Sequence, residues 1–184
     1  MDLWSLPTQA ILGGKPYPHR WDYRTALDIL AILNDRSPPI PVRWYRALAR
    51  FYEDPISYGV HREAMAYLAR FLTMDQPETV QEPLVDWQAD APEILEGINA
   101  VAGRDIRRDP DIHWWTFLGW YHSIGEGRLA SLVAIRSKRL RGEKLNAAEQ
   151  EFVRRNPQKF RPRETDSDRQ ETARLEALLA KASL

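Results

Sequence analysis

The sequence predicts an all-α fold: a single multi-helix bundle with a small N-terminal β-hairpin and a C-terminal helix. Three observations lead there. Apolar residues recur at helical spacing in one segment after another; short Pro/Gly connectors separate those segments; and only the first twenty residues carry strand-like punctuation. With 184 residues, 43% of them hydrophobic, the chain suits one ordinary domain with a real core.

In chain order, Ala10-Ile11-Leu12, Gly13-Gly14 and Lys15-Pro16-Tyr17 suit a hairpin, because Gly-Gly tolerates the positive φ of a two-residue turn. Pro16 then has to lie on an edge. Asp22 suits an N-cap for a helix to about Asn34, with Tyr23, Ala26, Leu27 and Leu30 on its apolar face. Ser37-Pro38-Pro39 stops it. Further helices are expected over Pro41 to Tyr52 and Val60 to Leu72, followed by an acidic connector over 73–85. A helix between Asp86 and Ala102 contains Pro92, so it either starts near Asp90 or kinks there, and Gly103 closes it. The most apolar segment, Ile112 to Ile124, comes next, then a helix over Leu129 to Leu140. Asn146 and Glu149 have capping-box spacing for a short helix ending near Asn156. A last helix over 167–182 places Leu175, Leu178 and Leu179 on one stripe. The expected division is a helical core domain with its hairpin, 1–156, and a hinge with the C-terminal helix, 157–184.

Composition excludes several classes. The absence of cysteine removes disulfides, thiolate zinc sites and a cysteine nucleophile. No apolar run approaches the roughly 18 residues that cross a bilayer, and the first twenty residues lack the pattern of a signal peptide, so a cytoplasmic protein without a membrane partner is expected. Net charge is zero but unevenly placed: residues 1–135 carry −5, 136–163 carry +7 and 164–184 carry −2. The acidic face Asp86, Asp90 and Glu93, spaced four and three apart, suits a basic partner or a cation. It also suits the favourable placing of acids near a helix N-terminus.

Chemistry has little foothold. His113 and His122 are nine residues apart, which puts them on opposite sides of one helix at about 100° per residue. No zinc-protease, nucleophile-elbow or phosphate-loop motif occurs, so no catalytic residue, metal site or cofactor is expected. Trp114, Trp115, Phe117, Leu118, Trp120 and Tyr121 make their helix apolar over most of its circumference and are expected to form the core, leaving only the outside of the protein to act. Thr116, Gly119 and Ser123 offer a line of small residues for a neighbouring helix. The basic 136–163 region lacks helix-turn-helix spacing and has few interleaved aromatics, which argues against nucleic acid.

Several of these segments resemble the "Gp-fifteen" family of tail-morphogenesis proteins of tailed phages and prophages. They are Gly14-Lys15-Pro16-Tyr17-Pro18, Asp22-Tyr23-Arg24-Thr25-Ala26-Leu27, Leu33-Asn34-Asp35, Asp86-Trp87-Gln88-Ala89-Asp90-Ala91, His113-Trp114-Trp115-x-Phe117-Leu118, and Ile135-Arg136 through Leu140. Departures are Tyr23 where Phe is expected, Trp120 where an aliphatic residue is commoner, and Pro92. The resemblance spans about residues 10–141 and carries over no catalytic residues. It implies a tail assembly chaperone-like protein that binds the tape measure protein, the major tail protein that builds the tube, or both. The acidic face and the Leu175/Leu178/Leu179 stripe are the expected contacts, the stripe serving otherwise to dock on its own core or to form a homo-oligomer. The alternatives are a structural virion component, either head–tail connector or tail-completion protein, and then a nucleic-acid-binding regulator.

Overall fold

The computed structural model describes residues 4–76 and 84–160. Within these the chain is mainly helical, with seven α-helices and one two-stranded antiparallel hairpin. The strands are β1, Gln9–Leu12, and β2, Lys15–Pro18; the helices are α1 Tyr23–Asn34, α2 Ile40–Phe51, α3 His61–Leu72, α4 Ala91–Ala102, α5 Trp114–His122, α6 Arg128–Leu140 and α7 Ala147–Arg155. No described helix is long and apolar enough to cross a membrane. Residues up to Leu145 form one compact unit, and Asn146 opens a second. In the latter, the Asn146 side chain accepts from the Glu149 amide while Glu149 accepts from the Asn146 amide, the reciprocal cap expected from the spacing. The stretch 167–182 and its leucines lie outside the described residues.

The hairpin turns at Gly13 and Gly14, with φ of +54° and +78°, and pairs Leu12 with Lys15 and Gln9 with Pro18. Two strands alone are marginal, and α3 supplies the support. Glu63 and Tyr67, one turn apart on α3, bond the Gly13 amide (2.8 Å) and the Gln9 carbonyl (2.9 Å). Ala10 and Leu12 face inward and are buried, while Ile11 faces out, as strand alternation requires.

Two helices start at one junction. The segment around Trp21–Tyr23 pairs with Ile112–Trp114: the Tyr23 amide donates to the Ile112 carbonyl and the Trp114 amide to the Trp21 carbonyl. Asp22 caps α1, accepting from the Thr25 amide at 2.9 Å and the Thr25 hydroxyl at 2.7 Å. Directly across, His113 caps α5 through Nδ1, which accepts from the Trp115 amide at 3.0 Å. From this junction α5 enters the core. Trp114, Trp115, Phe117 and Leu118 are buried, whereas Trp120 and Tyr121, nearer the helix end, are half-buried. The two buried indoles also end α3: Trp114 donates to the Leu72 carbonyl (3.1 Å) and Trp115 to the Phe71 carbonyl (2.9 Å), which the Met74 amide also reaches at 3.3 Å.

Pro92 begins a helix rather than kinking one. Residues 86–90 are turn, and α4 starts at Ala91 with the proline in its first turn, where the missing N–H costs nothing. The small-residue line expected on α5 is not the site of close approach, because Gly119 has open space around it and Ser123 is exposed. The approach lies at Gly97 of α4 instead, where an added Cβ would stand 2.8 Å from Ile124 Cδ1 and 2.9 Å from its Cγ2. Gly97→Ala gains about 1 kcal/mol of helix propensity, yet both branches of Ile124 must move. We expect net destabilisation of about 1–3 kcal/mol by urea denaturation, relieved by Ile124→Ala in the same chain. An alanine variant as stable as the parent would show that α4 and α5 have room to spare.

Candidate functional site

Outside the core, the exposed edge of α5 lines an open cleft of about 280 Å³. Thr116 and Trp120 come from α5; Trp21, Ile112 and His113 from the junction; Leu6 and Thr8 from the N-terminal segment; Arg104, Asp109 and Asp111 from the connection between α4 and α5. The tryptophan-rich helix is thus core on one side and cleft wall on the other. Trp21 stacks on His113 with ring centroids 5.6 Å apart, and the Arg104 guanidinium lies 5.8 Å from the Trp120 ring centre.

His113, Arg104 and Asp109 of this cleft already have partners. His113 Nδ1 holds the Trp115 amide, so its proton sits on Nε2, which donates to the Pro7 carbonyl at 3.0 Å. Neither nitrogen is left to take a proton from a substrate. Arg104 pairs with Asp109 at 2.7 Å. The Asp111 amide donates to Asp109 Oδ1, and its own carboxylate has no partner among the described residues. Trp21, Trp120, Ile112 and Leu6 give the cleft an apolar wall suited to a flat or apolar side chain. Among the described residues no group of three His, Asp or Glu side chains is placed to hold a metal ion.

The remaining candidates are scattered. Asp86, Asp90 and Glu93 do not share one outward face, because only Glu93 is within a helix. Asp86 closes a turn by accepting from the Gln88 and Ala89 amides. Asp90 is 0% exposed; its two oxygens take a bidentate grip from Arg136 of α6, with 2.9 Å between Oδ1 and Nη2, and Oδ2 also accepts from the Asp86 amide. Arg136 donates further to the Leu84 carbonyl. Glu93 is buried, with Arg128 of α6 3.9 Å away. The acidic stretch and the basic region therefore meet partly inside the molecule, a pairing across 46 residues that no local pattern signals. His122 is exposed and His61 bonds the Ile56 carbonyl.

Sequence reasoning missed His19. It is buried, stacked on Phe51 at 4.3 Å, and surrounded by Tyr52, Tyr67 and Phe71. Tyr67 donates to Gln9, so its oxygen accepts from His19 Nε2 at 3.1 Å, and His19 Nδ1 is left buried with no partner. Burial pushes His19 down from 6.5 to about 4, with nearby His113 adding to the fall; burial also lowers His113. Both groups bind their proton less readily folded than unfolded. Stability should therefore be flat above the unfolded value near 6.5 and decline as pH falls from there toward 4, with ~3 kcal/mol from His19. Urea midpoints between pH 8 and 4 measure this. In His19→Phe the decline should shrink to the part His113 contributes; an unchanged profile would remove His19 as its source.

The chain has no match in three comparisons: no family model, no curated protein and no solved structure.

Proposed function

We propose that this protein is a phage tail assembly chaperone-like binding protein, acting in the host cytoplasm on the tape measure protein, the major tail protein, or both. One observation carries the reading. The separated segments that bear the resemblance to tail-morphogenesis proteins are mutual neighbours in the fold. Asp22 pairs with His113, Trp87 packs on Trp114 at 5.8 Å, and Asp90 grips Arg136. The residues that carry the resemblance thus share one physical reason, a single interlocked core. Around that core the reading looks to surface rather than to a reaction centre, and it is supported by the engagement of Arg104 with Asp109, of His113 with the Pro7 carbonyl and of Asp90 with Arg136. Large apolar side chains stand outward as well, among them Trp4 at 98% exposure and Tyr58 at 91%.

Co-expression tests this. With the tape measure protein and the major tail protein of the same phage or prophage, the chain should co-purify with at least one and raise its soluble yield. Failure with both would overturn the reading. Fixed copy number in purified particles would replace it with a structural virion component.

A further inference from the structure

Helix α2 has two faces. Ala47, Leu48 and Phe51 are buried and Trp44 is half-buried, which anchors the helix to α1 and α3. The opposite face is not polar, as a solvent face should be. Val42, Tyr45 and Ala49 follow i, i+3, i+7 and all are exposed, Tyr45 at 68%. Ile40, at 61%, extends the apolar surface at the helix start.

The charge carried by α2 itself is of one sign, with Asp35 before it and Glu53 and Asp54 after it. Residues 36–52 contain four arginines and no acid. Arg50 is paired with Asp28 of α1 at 2.8 Å. Arg43 donates to the Leu33 carbonyl at the end of α1. Neither Arg43, Arg36 nor Arg46 has a carboxylate partner among the described residues. An exposed aromatic flanked by arginines with no counter-ion is the composition that dominates protein-binding hot spots.

We propose that the outer face of α2 docks an acidic amphipathic helix of a protein partner. The inference rests on the reading that the chain works by binding protein. The partner's apolar stripe covers Val42, Tyr45 and Ala49, and its flanking carboxylates meet the exposed Arg36 and Arg46. Nucleic acid fits less well. Phosphates have no use for an aliphatic line at the centre of the patch.

The test uses the full chain and three fluorescent probes. One is a synthetic helical peptide with a leucine stripe at i, i+3, i+4, i+7 and glutamate elsewhere. The second carries lysine in place of glutamate, and the third is a single-stranded oligothymidine. Anisotropy should show binding of the glutamate peptide alone. Tyr45→Ala should weaken it about tenfold or more, and Arg46→Glu should weaken it while improving the lysine peptide. Both positions are exposed, so unchanged circular dichroism and melting are expected and are checked alongside. No binding, equal affinity for both peptides, or affinity indifferent to both variants overturns the proposal. Tight oligothymidine binding lost in Arg46→Glu assigns the face to nucleic acid instead. A concentration-dependent oligomer in sedimentation that Tyr45→Ala dissociates assigns it to a second copy of this chain. Peptide binding with no co-purification of tail proteins would leave this surface standing and remove only the tail reading.

Discussion

Asp90→Ala should lower the unfolding free energy by about 3–5 kcal/mol, because it leaves the Arg136 guanidinium facing an emptied, buried site. Asp90 is fully enclosed, while Arg136 is 18% exposed at its side chain. The pair ties α4 to α6, and the same carboxylate holds the Asp86 amide while the same guanidinium holds the Leu84 carbonyl. Arg136→Ala strands the carboxylate in turn and should cost a comparable amount. The two losses should not add. Once both charges are gone neither is unpaired, so Asp90→Ala with Arg136→Ala should come out well above the sum of the singles in stability. A replacement of both by apolar residues, Asp90→Leu with Arg136→Met, should recover most of the single-variant loss and stay below the parent by what the Asp86 amide and the Leu84 carbonyl lose. Urea denaturation of the four proteins closes the cycle. Additive single effects would mean that the two side chains act through separate contacts and that the ion pair is incidental.

Trp114→Ala should cost about 3–5 kcal/mol through the cavity it leaves. The ring is 1% exposed, stacks on Phe117 at 5.4 Å and meets Trp87 edge-on. Its indole N–H is also the partner of the Leu72 carbonyl, so the truncation strips the end of α3 of an acceptor's satisfaction as well as the core of its volume. Trp114→Phe separates the contributions. It keeps most of the apolar contact and loses the hydrogen bond, so about 1–3 kcal/mol is expected from the stranded carbonyl and the smaller ring. Hydrogen exchange should show the effect of Trp114→Phe concentrated in the last turn of α3. If protection there is unchanged while α5 loosens, the indole–carbonyl bond is not what ends α3.

Short-range signals were the legible ones. The Gly13-Gly14 turn, the Asp22 cap, the Asn146/Glu149 box and the extents of α1, α2, α3, α5 and α6 within a residue or two all rest on interactions spanning a few residues, whereas for α4 the sequence left open a start near Asp90 or a kink at Pro92. The buried half of α5 was legible for a related reason, since four large apolar residues within five positions have nowhere else to go. Placement of charge was not. Asp86, Asp90 and Glu93 look like one acidic face at helical spacing, and they part company because Asp86 and Asp90 precede the helix. His19 carried no pattern at all, lying between a hairpin and a helix in a segment with no period.

By itself the sequence determined where helices begin, end and turn, because capping, proline geometry and apolar periodicity act within one or two turns of chain. Which polar groups became internal was decided only in the tertiary structure: Asp90 against Arg136, His113 against Pro7, the two indoles against the end of α3. A buried charge is tolerable only where a partner waits at hydrogen-bond distance. Those partners lie between 42 and 106 residues away along the chain, a separation that only the folded core closes.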